Sequence, residues 1–218
     1  MKQEAKTCSV IAICGSASGA GKSTLTIKLG EVIPNAVTMF FDAYHETTVY
    51  PPNIYKDLAE GKDIHIEEIK NDKFYYDLQQ LIHGNEIVDP WNRVLKPSKY
   101  VILEEPFAKL RTGMREIIDF TVCIDLPMEI SLARRLLRNM RSDFNHLSVE
   151  ERFQYIESFL EEYLHGGRIS YIKLFEAVSS DCDLIVDGQL SMDAMVNEVM
   201  MKLTEVGLLK AEMDGIER

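Results

Sequence analysis

No stretch of the 218-residue chain approaches the roughly 18 consecutive apolar residues that a membrane span requires. Basic residues are in deficit: 24 Lys and Arg stand against 35 Asp and Glu, a formal net charge of −11 with His neutral. A surface that negative repels phosphate backbones and anionic lipid. General nucleic-acid or membrane-surface binding is therefore not expected, although a small polyanion can still bind in a locally positive pocket. With only 7 Pro and 12 Gly, no linker, repeat or low-complexity tract divides the chain. The four cysteines, Cys8, Cys14, Cys123 and Cys182, form no C-x-x-C pair and read as buried thiols in a reducing compartment rather than disulfides or zinc ligands. Residues 1–7 are polar, and the apolar run at 10–13 is too short for a signal peptide, so a cytoplasmic protein is expected.

What is present is a globular composition. Apolar residues make up 46% of the chain, enough for one substantial core and a single domain over 1–218. Short β-branched and aromatic runs at 8–14, 36–41, 100–103, 120–125 and 182–186 alternate with amphipathic stretches at 22–32, 72–83, 127–138, 149–165, 170–178 and 191–206. That alternation predicts an α/β fold, a doubly wound parallel sheet of about five strands with helices on both faces. The longest excursion, residues 44–99, is punctuated by Pro51-Pro52 and Pro90 and carries Tyr44, Tyr50, Tyr55 and Trp91. A long segment after a strand's carboxyl end is where an acceptor-binding insertion is expected. The tail from 210 to 218 is polar and reads as frayed.

The most informative segment is Gly15-Ser16-Ala17-Ser18-Gly19-Ala20-Gly21-Lys22-Ser23-Thr24, between the first strand and an amphipathic helix. Its glycines let the backbone turn tightly and aim successive N–H groups at an anion, and the helix N-terminus adds partial positive charge. Residues 15–24 are thus the expected nucleotide-phosphate cradle. Lys22 can reach the β- and γ-phosphates, and the Ser23 hydroxyl can ligate Mg²⁺. Ser16 stands where the full G-x-x-x-x-G-K-[ST] pattern has Gly, with Gly15 one place early. Neither D-x-x-G nor N-K-x-D occurs, which argues against a GTPase and leaves a small phosphotransferase.

Beyond the cradle, the chain resembles the uridine kinase family, the P-loop kinase branch that also holds nicotinamide riboside kinase, phosphoribulokinase and pantothenate kinase. The resemblance runs roughly from 10 to 188. It is carried by the cradle, Phe41-Asp42-Ala43-Tyr44, Val101-Ile102-Leu103-Glu104, Asp125 with Leu132-Ala133-Arg134-Arg135-Leu136-Leu137-Arg138, and Asp183-Leu184-Ile185-Val186. It implies a kinase that uses ATP and Mg²⁺ on a small-molecule acceptor, with a helical lid at about 134–170. A nucleoside or nucleoside-like acceptor is expected. A vitamin or sugar acceptor, and a nucleotide-binding regulatory module without catalysis, are the alternatives. Oligomeric state is not readable from the chain.

Roles follow from position at strand ends, where ligands sit in open parallel sheets. Asp42 is the expected general base, the other use of such a residue being a turn or N-cap aspartate. Glu104 is the expected Mg²⁺-side carboxylate, although Glu105 beside it leaves open which of the two faces the metal. Arg134, Arg135 and Arg138 form either a solvated basic stripe or the cationic start of the lid, with Arg135 and Arg138 the better family matches and the expected catalytic pair. Glu67 is a candidate clamp for sugar hydroxyls or simply surface charge. Tyr44 and Trp91 are candidate stacking residues for a flat base, or ordinary packing. Pro90 matches a family proline, but Asn92, Arg93 and Val94 replace the residues that normally follow it to read a pyrimidine. The five histidines lack metal-ligand spacing and are assigned no chemistry.

Overall fold

The computed structural model describes residues 8–15, 17–52, 54, 57, 60, 62 and 65–210; Ser16, Tyr55, the polar start and the expected frayed end beyond 210 lie outside them. In chain order the elements are β1 (Ser9–Gly15), α1 (Lys22–Val32), β2 (Ala36–Phe40), α2 (Asp72–Ile82), β3 (Ile87–Val88), β4 (Val94–Leu95), β5 (Tyr100–Glu104) and β6 (Phe120–Asp125). They continue as α3 (Met128–Arg138), α4 (Val149–Glu162), α5 (Arg168–Ser179), β7 (Leu184–Asp187) and α6 (Met192–Glu205). Five strands form one sheet in the order β2-β5-β1-β6-β7, and every pairing in it is parallel.

Strand β1 shows why these runs must be strands. Val10 and Ala12 join Met39, Leu103, Phe74 and Leu78 on one face, while Ile11 and Ile13 join Leu25, Leu29, Val122 and Val199 on the other. Both faces are dry, so the period-2 alternation of side chains needs apolar residues at every position. Among the described residues, no helix is long and apolar enough to cross a membrane.

Register then places the chemistry. Ile13 of β1 and Phe40 of β2 both pair with Glu104 of β5. β2 and β5 therefore end level and β1 runs two residues further, so the segments that follow them, the glycine-rich turn after β1 and the 3₁₀ turn Phe41–Thr47 after β2, meet at one edge.

The expected strands and helices match within one to three residues at their ends. Two differences have local causes. The hairpin β3–β4 was not expected, because two residues per strand with Val88 and Val94 exposed leave no apolar run to read. The stretch 149–165 stops as α-helix at Glu162 and widens into the turn Tyr163–Gly167, where Gly166 leaves helical geometry, so that α5 starts at Arg168.

Directly after β5 the chain buries an ion pair. Glu105 accepts from Arg111 Nε at 3.2 Å and Nη2 at 2.5 Å, and from the Phe107 N–H at 3.2 Å. The Arg111 guanidinium also lies 4.9 Å from the Phe41 ring centre and 5.1 Å from that of Phe74. Removing one member strands the other charge in a dry site. Arg111→Met is expected to lose about 3–5 kcal/mol of unfolding free energy in urea titrations. The double variant Glu105→Gln, Arg111→Met should recover a substantial part of it.

Candidate active site

The turn between β1 and α1 is shaped by two glycines. Gly21 is the N-cap of α1 at φ 104°, and Gly19 sits at φ 98°. A Cβ on Gly19 would lie 2.5 Å from the Ser131 carbonyl oxygen and 3.3 Å from the Arg135 nitrogen, so the loop packs against the backbone of α3. No side chain caps α1 and no acid stands in its first turn. Helices α2, α4 and α6, by contrast, are capped by Asn71, Ser148 and Ser191. The N–H groups at the start of α1 are thus left to an external acceptor, which is how an anion site is built.

Around this opening three charges gather. Lys22 Nζ donates to the Ala17 carbonyl at 2.9 Å. Burial lowers the Lys22 pKa from its ordinary value, while the nearby Glu104 and Asp42 carboxylates pull it back up. Burial raises the Glu104 pKa, with Asp42 adding to the rise and Lys22 and the Ser23 hydroxyl opposing it. Asp42, exposed in the turn after β2, lies within the electrostatic reach of both. The structure thus brings together Lys22, Ser23, Asp42 and Glu104.

The residues present fit a divalent cation. Ser23 Oγ donates to Glu104 Oε1 at 3.0 Å, and Glu104 Oε2 is buried with no hydrogen-bond partner among the described residues. A hydroxyl beside an orphaned, dry carboxylate oxygen is a hard oxygen donor set suited to Mg²⁺. Between the two adjacent glutamates the geometry is clear: Glu105 is committed to Arg111, and Glu104 faces the opening.

Other candidate residues are distributed differently. Tyr44 is corrected from stacking residue to core residue. It is 1% exposed, donates to Asp77 Oδ2 at 2.9 Å and meets Phe74 edge-on, with its pKa raised by burial, so no face is open to a base. Trp91 is half exposed in the hairpin turn, its ring 5.7 Å from that of Phe40 at the end of β2. Glu67 is exposed on the turn Ile66–Glu68, 3.1 Å from the His65 Nδ1 that lowers its pKa after its own backbone does. Arg134 approaches the Gly188 carbonyl at 3.4 Å, and Arg138 is exposed. Arg135 turns away from the loop, donating to the Tyr171 hydroxyl at 2.9 Å with its guanidinium 4.5 Å from the Phe159 ring centre.

That turn of Arg135 marks a feature the sequence reading missed. A cavity of about 790 Å³ opens among Arg135, Tyr155, Phe159, Tyr163 and Tyr171. The signal was present as Tyr155 and Phe159 on α4 and Tyr163 just past its end, at i, i+4 and i+8, a spacing that reads equally as a buried face.

Comparison with known proteins bears on this geometry. Residues 53–189, more than half of the chain, match the sequence model described as the phosphoribulokinase / uridine kinase family. The chain belongs to that family. It is a P-loop kinase of small molecules. The kinase is 29% identical over 188 residues to the uridine kinase of Borrelia hermsii, covering 81% of this chain and 85% of the relative. It is 25% identical over 220 residues to that of Anoxybacillus flavithermus, covering 92% and 97%. Among solved structures, a protein of Silicibacter sp. TM1040, provisionally named a fructose transport system kinase, superposes with a TM-score of 0.52 at 17% identity, covering 85% of this chain and 92% of that one. At that identity the likeness is one of fold.

Two variants test the kinase site. Gly19→Ala forces a side chain into left-handed backbone and against a carbonyl. It is expected to lower the Tm and to weaken ATP binding at least 10-fold by calorimetry. Glu104→Gln removes a carboxylate whose folded-state pKa is raised. Such a group favours folding only when protonated, so its cost appears as pH rises above the ordinary glutamate range and is complete above the raised value. The Tm of nucleotide-free Glu104→Gln should exceed that of the parent at pH 8, with the gain vanishing near pH 3.

Proposed function

We propose that the kinase transfers the γ-phosphoryl group of ATP to a hydroxyl of a nucleoside or nucleoside-like acceptor in the cytoplasm. The observation that carries this reading is the convergence of Lys22, Asp42 and Glu104 on the open N-terminus of α1. The amides of residues 15–24 and the start of α1 bind the phosphate tail. Lys22 leaves the Ala17 carbonyl for the β- and γ-phosphates, where its charge neutralises the migrating group. Asp42 orients the acceptor hydroxyl for in-line attack and takes its proton. Ser23 and Glu104 would hold Mg²⁺, which when bound supplies positive charge to the phosphate oxygens. Arg138 adds a cation from α3, the helix that rests on Gly19, and Arg135 does so once it leaves the Tyr171 hydroxyl and the Phe159 ring.

The aromatic cavity supports a flat acceptor. It is lined by Arg135, whose backbone nitrogen faces Gly19, and its rings and guanidinium suit a planar ring bearing polar groups. Glu67 and Trp91 contribute from the insertion. The relatives named uridine kinase support the nucleoside class. The burial of Tyr44, together with Asn92-Arg93-Val94 after Pro90, favours a second reading in which the acceptor is a vitamin or sugar rather than a pyrimidine nucleoside.

The deciding measurement is ADP release with Mg²⁺ and ATP against a panel of nucleosides, vitamins and sugars. A nucleoside is expected to stimulate release most. Stimulation by a vitamin or sugar alone moves the kinase to the second reading, and stimulation by none overturns both. Asp42→Asn is expected to lower kcat by roughly 10²–10⁴-fold. ATP affinity should stay within about threefold, and an unchanged kcat would remove Asp42 from the base role.

A further inference from the structure

Three of the four cysteines meet beneath the phosphate loop. Cys14 of β1 and Cys123 of β6 are register partners on neighbouring parallel strands, and both are completely buried. Cys182 enters from the turn between α5 and β7 and retains partial exposure. The Cys14 and Cys182 sulfurs are 3.4 Å apart, and the three sulfurs all lie within 4.8 Å of one another. Nothing in the kinase reaction calls on them, and none of them is in a disulfide.

The spacing has a specific chemical match. A d¹⁰ divalent ion bound to thiolates at about 2.3 Å holds its sulfurs about 3.8 Å apart. That value lies between the 3.4 Å separating Cys14 and Cys182 and the 4.8 Å within which all three sulfurs fall, so small side-chain adjustments suffice to close on one ion. We infer that Cys14, Cys123 and Cys182 form a three-thiolate site for a thiophilic divalent cation of the zinc type, with the fourth position open to water on the Cys182 side.

Charge and protonation are consistent with such an ion. Hydrogen bonds with Cys123 and Cys14 push the Cys182 pKa down, and its Sγ also donates to the Val178 carbonyl at 3.0 Å. Sharing hydrogen bonds with Cys123 and Cys182, followed by burial, raises that of Cys14. Binding forms three metal–sulfur bonds and sends the three thiol protons to solvent, with no change of oxidation state. Three thiolates and a divalent ion leave a net charge of −1, and Lys22 lies within electrostatic reach of Cys14 and Cys123 to offset it. Ala108, Val178, Leu174 and Phe175 pack around the trio, and three soft sulfur donors at one spot disfavour Mg²⁺ or Ca²⁺.

Purified, fully reduced protein is titrated with Zn²⁺ against a chromophoric chelator of micromolar affinity. One ion per chain is expected to move to the protein. The Tm should rise with zinc, because the ion binds only the folded arrangement. Cys182→Ser, chosen because the residue is partly exposed, should weaken affinity at least roughly 100-fold and abolish the Tm rise. Cys8→Ser, outside the trio, should change neither. Cd²⁺ should give a sulfur-to-metal charge-transfer band that loses about a third of its intensity in Cys182→Ser, reporting three sulfurs rather than two. Failure of the unaltered protein to take zinc from the chelator overturns the site, whatever the variants do. Equal affinity in Cys182→Ser overturns it as well. Either failure leaves the phosphotransferase reading untouched, since no readout here involves ATP.

Discussion

A half-buried ammonium shared between two carboxylates is the constraint on which the site rests. Asp42 and Glu104 repel one another, and burial alone already disfavours the charged form of Glu104. Lys22 offsets part of that repulsion from a position that itself costs solvation. Such a set of charges is unfavourable in an empty crevice. It becomes favourable when a polyphosphate and a cation complete it, which is the usual relation between a functional site and the fold that supports it. Parallel strands whose carboxyl ends share one edge, together with a glycine turn, make the arrangement possible, because only that register brings residues 22, 42 and 104 together.

The structure pays for this crevice with commitments behind it. Adjacent glutamates after β5 take opposite paths, Glu104 toward Ser23 and Glu105 into a closed pair with Arg111. The pair is ringed by Phe41 and Phe74, so the turn that presents Asp42 is anchored one residue away by an aromatic layer. Tyr44 extends that layer through Asp77 on α2. The 44–99 insertion is in this way tied to the same core that positions Asp42. On the other side Gly19 lets the backbone of α3 approach the glycine-rich loop closely. The thiol trio lies under the same loop, on the strand that leads directly into Gly15.

The parallel sheet, its five strands and the phosphate loop were legible because each has a local signature: continuous apolar runs, helical periodicity and a glycine turn followed by Lys-Ser. Asp42 and Glu104 could be nominated because strand ends in such sheets face ligands. The choice between Glu104 and Glu105 was not legible, since neighbouring residues differ only in what the folded chain brings to each. Tyr44 misled for the same reason. Its spacing after Asp42 suggests a ligand-facing ring, but the 3₁₀ turn rotates it inward onto Phe74. Arg135 was readable as a cation on a helix, not as one held by Tyr171 and Phe159 from helices distant in sequence.

By itself, then, the order of residues determined which segments become strands and helices and where an anion would bind, because those outcomes depend on neighbours along the chain. Tertiary structure alone decided which carboxylate meets Ser23, which aromatic is open to a ligand, and that cysteines 14, 123 and 182 share one spot. Those outcomes depend on strand order and register, which bring together groups more than a hundred residues apart and leave no trace in local pattern.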